Sequence, residues 1–576
     1  MYCKECGTKN ENGKFCKSCG TPIQQEQQSQ QTEKPQPSQK ESGLPIAMFA
    51  GLSTVAVLAV VVIVMLFSSF GGNTVTSTIL SEEPLVLAEI GQTEEIQERE
   101  SPTTTPTLTH TIEIDLSAPL NDEIMEHLRQ FPNLRLVGVG SRAVSQESLV
   151  NNMPLLASLT NLTALTLWSD SEVTDITLLA NLTNLTRLEL MSDSRQIIDI
   201  SSLANITNLT ELELRLNSAD ITQLANFENL TELTLMGRSI WGIQIDDITP
   251  LENLTNLMSL TLDLSNYEVI TPFVSFLGNL TNLTELVLHL NMRQESLVNN
   301  ISLLTNLTNL TALVLQLDSE VTNITPLANL ANLTALQLNL SSGEITDLSP
   351  LTNLTNLTEL ELWLGSNVSN ITPLANLTNL TALNLGLWGS EVTHLDPLAN
   401  LTNLTELGLW GSTVTNLAPL ANLTNLTALN LDLWGSEVAD ITPLANLTNL
   451  TALNLDLWGS EVADITPLAN LINLTALRLN FQDTQITDIT PLANLTNLTS
   501  LVLRWNTQIT NNITLTPLVN LTNLTGLGLH GRVADIAPLA NLTNLTTLAL
   551  SSSQITDWSP VAHVLIINGQ PNNLSD

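Results

Sequence analysis

One phrase, L-x-x-L-x-x-L-x-x-L-x-L, recurs so often that it leaves a single class of architecture open. Its first strand leucines stand at Leu165, Leu188, Leu212, Leu233, Leu260, Leu286, Leu313, Leu336, Leu360, Leu383, Leu407, Leu429, Leu453, Leu477, Leu501, Leu527 and Leu548. The copies follow one another at a mean spacing of about 24 residues. One unit, LANLTNLTALNLDLWGSEVADITP, is written identically at Leu420–Pro443 and Leu444–Pro467. So short a unit cannot bury its own leucines and must bury them against the copies on either side, which makes a stacked solenoid. In A-L-N-L-D, alternation sends both leucines inward and Ala, Asn and Asp to the opposite face of a short strand. Leucines at threes in LANLTNLT suit a tight helical or 3-10 turn on the back, where every third residue faces in. Asp-Ile-Thr-Pro closes the coil, with Asp capping the free N–H groups of the next turn and Pro setting its first residue.

Such a stack is open at both ends, so its flanks are expected to be lids. Upstream, TIEIDLSAPLNDEIMEHLRQFPNLRLVGVG reads as strand, helix, strand, with Asn121 as the cap and Leu128 or Phe131 covering the first coil. Downstream, DWSPVAHVLIINGQP reads as a closing turn. Residues 110–160 are therefore assigned to an N-terminal cap and first irregular coil, 161–557 to the repeats and 558–576 to the closing segment.

The beginning of the chain has different chemistry. All six lysines stand at or before Lys40, and residues 1–45 carry +1 of a total net charge of -38, leaving -39 to the rest. The divider, Ile46–Phe67, contains no charged side chain. As a helix it would be about 33 Å long, enough to cross the hydrocarbon core of a membrane. It starts too late for a signal peptide and is too long and too uniformly apolar for an ordinary core helix. Lys34 and Lys40 lead into it and no basic residue follows until Arg99, so the N-terminus is expected in the cytoplasm and the repeats outside. Membrane lipid is then a partner through residues 46–67, and residues 68–109, rich in Ser, Thr and Glu, are read as a flexible stalk.

Ahead of the apolar run, Cys3, Cys6, Cys16 and Cys19 form a Cys-x2-Cys-x9-Cys-x2-Cys array, with Gly7 and Gly20 after each pair. Four thiolates on two glycine-relaxed turns match tetrahedral Zn2+, and four cysteines leave no ligand position for a catalytic water. A structural zinc ribbon is thus expected over 1–22, with a Gln/Pro-rich linker over 23–45. Disulfides are disfavoured in the cytoplasm. So small an apolar content implies that the head folds only with its metal, and its expected use is to dock a cytoplasmic protein.

A ligand face follows from the alternation. Glu359 and Glu406 share one column, Glu361 stands in the next, and Asp432 and Asp456 stand in a third. Trp363, Trp388, Trp410, Trp434 and Trp458 fall at or just beyond strand ends in consecutive coils. Tryptophan is scarce on inert surface and common in binding hot spots, so these ten residues form the candidate ligand-binding set. The bland alternatives are tryptophans that only pack over the longer LWGSEV turn and acids that only solvate a face. Catalysis is not expected, because the six histidines are scattered and no serine stands in a nucleophile-elbow setting. Nucleic acid is not expected as a partner of so acidic a chain. The repeated Asn-Leu-Thr is formally a glycosylation sequon, but its Asn and Thr serve the back-side turn.

Taken together, LTNLTxLxL and ITDITPLANLTNL resemble the internalin-type leucine-rich repeats of Gram-positive surface proteins, over roughly residues 110–565. The cysteine head resembles small zinc ribbons of Gram-positive membrane proteins. The repeat resemblance implies a horseshoe with a parallel sheet on its concave face, non-catalytic, which binds a protein or glycan there. Two departures stand out: most coils are longer than the family's usual repeat, and Gly-Ser stands where the family places Asn, which weakens the expected asparagine ladder. No sortase-type wall motif ends the chain, so the apolar helix is expected to be the anchor. The function expected is an anchored extracellular binding protein; the alternatives are a receptor reporting through the zinc ribbon and a ligand-free spacer.

Overall fold

The computed structural model describes residues 85–86, 110–115, 120–131, 133–139, 146–169, 176–192, 200–216, 221–237, 243–245, 248–264, 267–269, 275–290, 301–317, 323–341, 344–411, 413–506, 513–551 and 555–568. The chain divides into two units, Met1–Gly71 and Gly72–Asp576, and every described residue belongs to the second. The zinc-ribbon cysteines, the linker, the apolar run 46–67 and nearly all of the stalk lie outside the described residues. Among the described residues no helix is long and apolar enough to cross a membrane.

The repeats and the segments that flank them build one parallel sheet of 21 strands among the described residues. Each strand pairs with that of the next coil in unbroken leucine register, as in Leu360↔Leu383, Leu383↔Leu407, Leu407↔Leu429 and Leu429↔Leu453. All of the first strand leucines are buried, as the alternation requires. On the opposite side each coil makes a short 3-10 helix such as Thr442–Asn446, followed by further i→i+3 bonds. The Leu447 N–H donates to Leu444 O at 3.0 Å and the Leu450 N–H to Leu447 O at 3.1 Å, so leucines at threes all face the core. The capping expectation holds: Thr442, Thr466 and Thr490 each donate a backbone N–H to the Asp two residues earlier, at 2.8 Å.

An asparagine ladder does exist, at a position other than the one the family comparison suggested. Asn425, Asn449 and Asn473, the asparagines of Leu-Thr-Asn-Leu or its variant, donate through Nδ2 to Thr402 O, Thr424 O and Thr448 O of the preceding coil at 2.8, 2.8 and 2.9 Å. Beside it runs a threonine ladder, in which Thr427, Thr451 and Thr475 donate to Thr405 O, Thr427 O and Thr451 O at 3.1, 3.1 and 3.0 Å. The asparagine ladder satisfies backbone carbonyls where the chain turns from the 3-10 segment into the strand, whereas the threonine ladder adds a side-chain donor to carbonyls that already accept backbone N–H groups of the next coil. With that task done on the back, the post-strand turn is free to carry Gly-Ser.

The N-terminal lid is a strand, His110–Asp115, a helix, Asp122–Leu128, and a strand, Leu134–Val139. Asn121 caps the helix by accepting from the Ile124 N–H at 2.9 Å, Leu128 is fully buried, and Phe131 packs partly buried against the core. Three features are not marked by the repeat pattern. A second helix, Gln146–Leu156, completes the irregular first coil. Leu85–Val86, assigned to the stalk, pairs parallel with Ile112 and Glu113 and extends the sheet. A separate two-stranded sheet joins Ile243–Ile245 to Tyr267–Val269. At the other end Ile566–Asn568 pairs with Thr547–Ala549 and closes the described sheet.

Candidate functional site

The five tryptophans form two groups rather than one stripe. Trp363 and Trp410 end strands Glu359–Trp363 and Glu406–Trp410, and register places Gly386 between them. A Cβ at Gly386 would collide with the Trp363 ring, so the glycine is what lets that ring lie across its coil. Trp363 and Trp410 then stack at 5.4 Å between centroids and 16° between planes. Gly408 likewise leaves room for the Trp410 ring and the Asn384 side chain. Beneath the pair, Glu361 is nearly buried and accepts from Trp363 Nε1 at 2.7 Å and Gln337 Nε2 at 3.0 Å.

Trp388, Trp434 and Trp458 stand in the turns that follow the strands. In Leu433–Ser436 the Ser436 N–H donates to Leu433 O at 3.0 Å, with Gly435 at φ 64 in the third position. That geometry demands a positive φ there, which is why the dipeptide is Trp-Gly. Leu433 and Ser436 are buried, so the turn is gripped at both ends and its second residue, Trp434, is held out. Leu387–Ser390 and Leu457–Ser460 repeat the arrangement, with Gly389 at φ 77 and Gly459 at φ 67. The three indoles remain 42%, 44% and 41% exposed, well above the exposure of a packing residue. They form a rim: Trp388 and Trp434 meet at 5.6 Å and 59°, Trp434 and Trp458 at 5.4 Å and 20°.

Position in the coil marks the division: Trp363 and Trp410 end their strands, whereas Trp388, Trp434 and Trp458 stand two residues beyond the strand ends Gly386, Asp432 and Asp456. The coil from Glu406 to its partner Ala428 is shorter by two than those from Ala382 to Glu406 and from Ala428 to Ala452. The shortening draws Trp410 back into the strand, and Trp388 and Trp434 meet across the reduced coil. Counting residues from the first strand leucine of each coil to its tryptophan is the signal that could have separated the two groups.

Three of the candidate acids, Glu361, Asp432 and Asp456, accept local hydrogen bonds. Asp432 and Asp456 accept from the Trp434 and Trp458 N–H groups at 2.9 and 3.0 Å, so they brace the aromatic turns. Asn480 Nδ2 reaches both oxygens of Asp456 at 3.0 and 2.9 Å. Burial pushes the Asp432 carboxyl above its ordinary pKa, opposed by the Trp434 N–H and reinforced by Asp456. Burial raises Glu361 as well, against its two hydrogen bonds, and raises Glu359, to which Glu406 adds repulsion. Asp483, outside the candidate set, accepts from Trp458 Nε1 at 2.8 Å and from Asn506 Nδ2 at 2.7 Å. It occupies the glycine slot of its own turn at φ 53, a conformation that Asp tolerates.

The first coils are wired differently. Arg187 bonds Glu189 at 2.6 Å and Glu211 at 2.8 Å, and Arg135 lies 3.7 Å from Glu189. Their acids are therefore already matched by cations. Among the described residues no group of three or more His, Cys, Asp or Glu side chains is placed to hold a metal ion. Cys3, Cys6, Cys16 and Cys19 lie outside them.

A parallel strand ladder on one face, 3-10 turns on the other and one aliphatic core between them define a leucine-rich-repeat protein. It is similar to an internalin (inlF) of Listeria monocytogenes at 31% identity, covering 61% of this chain and 89% of that one, with a TM-score of 0.44. An internalin C2 of the same bacterium matches at 39% identity over 35% of this chain and 83% of that one, with a TM-score of 0.30. The chain is a leucine-rich-repeat protein related in structure to these internalins. A Leptospira interrogans leucine-rich-repeat protein is 21% identical, covers 73% of this chain and 98% of that one, has a TM-score of 0.50 and shares the fold. No protein-family model and no curated protein matches the chain.

Proposed function

We propose that the protein is a membrane-anchored, non-enzymatic extracellular scaffold that captures a macromolecule, a protein or a glycan, with the sheet face and its tryptophan rim. The observation that carries this reading is the rim itself. Three large apolar side chains are held out by turns whose neighbouring residues are buried, which serves contact with another molecule and adds little to the core. Residues 46–67 supply the anchor, with the N-terminus in the cytoplasm. There Cys3, Cys6, Cys16 and Cys19 hold a structural zinc ion, since four thiolates suit Zn2+.

The test is protease treatment of intact cells carrying a tag at each end, alongside cells bearing Trp410→Ala, Trp434→Ala and Trp458→Ala together. Loss of the C-terminal tag with protection of the N-terminal tag is expected, as is loss of surface-dependent adhesion in the triple variant. The opposite pattern of tags would sink the topology, and unchanged adhesion would leave a spacer. Purified protein is expected to carry one zinc per chain, lost in Cys16→Ser.

A further inference from the structure

Resting on the capture reading, the geometry points to a narrower partner: we propose that the rim of Trp388, Trp434 and Trp458 docks a basic, Lys- or Arg-bearing segment of a protein. Two observations carry this. The first concerns the rings. A sugar stacks on an open indole face, yet Trp434 is flanked by Trp388 on one side and stacked on Trp458 on the other. The central ring therefore offers a pyranose no open face, while the exposed parts of the three indoles can still cover the methylene stems of long basic side chains.

The second concerns charge. Each rim tryptophan is followed three residues later by an exposed glutamate, Glu391, Glu437 or Glu461. Asp432 and Asp456 brace two of the turns from below, and Asp483 holds the Trp458 indole nitrogen. Between Arg293 and Arg478 the sequence contains no Lys or Arg at all. Arg478, one coil beyond Asp456 and attracted by it, marks the end of that stretch. This is unlike the first coils, where Arg135 and Arg187 sit among the glutamates. The carboxylates from Glu391 to Glu461, with no Lys or Arg in that stretch of chain and set against the apolar rim, are complementary to a cationic segment. Charge steers the encounter and the tryptophans hold the stems.

The experiment uses the full chain in detergent micelles and a labelled decapeptide of alternating arginine and glycine, with a glutamate–glycine decapeptide as control. Fluorescence anisotropy reads binding, and the rim's tryptophan emission reads contact. Trp434→Ala with Trp458→Ala, and separately Glu391→Gln with Glu437→Gln and Glu461→Gln, are each expected to weaken binding by about tenfold or more, the scale of hot-spot truncation. A distant triple of equal charge change on exposed positions, Glu123→Gln with Glu228→Gln and Glu252→Gln, is expected to change it by less than about twofold. Equal weakening by both triples would overturn the proposal, because attraction would then belong to the whole acidic molecule. Unchanged binding in the tryptophan variant, or no binding of the arginine peptide, would overturn it too. In those cases capture itself survives if the triple tryptophan variant still loses adhesion on cells, and falls if it does not.

Discussion

A Cβ at Gly531 would collide with the indole of Trp505, which is only 2% exposed and stacks on Phe481 at 6.2 Å and 14°. Here an aromatic fills the inward slot that Leu387, Leu433 and Leu457 fill in earlier coils, and the next coil yields the space by having no side chain. Gly386 plays the same part on the outer face for Trp363, with the difference that the ring there can swing into solvent. The two sites predict different costs. Gly531→Ala is expected to destabilise the protein by about 1–3 kcal/mol, the usual range for overpacking a filled core, measured by chemical denaturation. No such rule follows from composition: neither glycine is marked in the sequence, and only the strand register reveals which ring each one faces.

At the level of the coil, most of the structure was legible because one aliphatic period dictates it. The leucine spacing names the strands, the back-side turns and the residues that face in, and Asp-Ile-Thr-Pro names the caps. What stays hidden are features that depend on contacts between coils. The asparagine of Leu-Thr-Asn-Leu can be placed on the back, but its acceptor belongs to the preceding coil, so spacing alone does not name its ladder. The division of the tryptophans is not marked by the leucine period, since a shift of two residues keeps a side chain on the same face and decides only whether it ends the strand or stands in the turn. Asn449→Ala removes one rung, the 2.8 Å bond to Thr424 O. The expected loss is about 1 kcal/mol, because the rung is solvent-exposed and water can replace it. Hydrogen exchange at the adjacent coils checks this, with faster exchange expected there and unchanged rates in distant coils.

Across the whole molecule, two sets of carboxyls pull stability in opposite directions as pH falls. Glu213, Glu232, Glu359, Glu361 and Asp432 are raised above their ordinary values, each with burial as the leading cause. A carboxyl whose folded pKa exceeds its unfolded value disfavours folding when ionised, so acidification from neutrality through the folded pKa relieves that cost. Asp347, Asp440, Asp464, Asp488 and Asp557 are lowered, first by side-chain and then by backbone hydrogen bonds from the Ser or Thr that each one caps. Their contribution is present above the unfolded value of about 3.9 and is lost as pH falls through the folded one. The melting temperature is therefore expected to peak in mildly acidic solution, between the two sets, and to fall on either side. Glu361→Gln should flatten the neutral limb, and a melting temperature that rises steadily to neutrality would contradict this balance. A different consequence follows from the two identical copies, Leu420–Pro443 and Leu444–Pro467. Because both keep register with their neighbours, unequal recombination between them would insert or delete one whole coil without disturbing the rest. Each exchange would lengthen or shorten the aromatic rim by one tryptophan and its glutamate, so the footprint offered to a partner is a heritable length, adjustable in steps of a single coil.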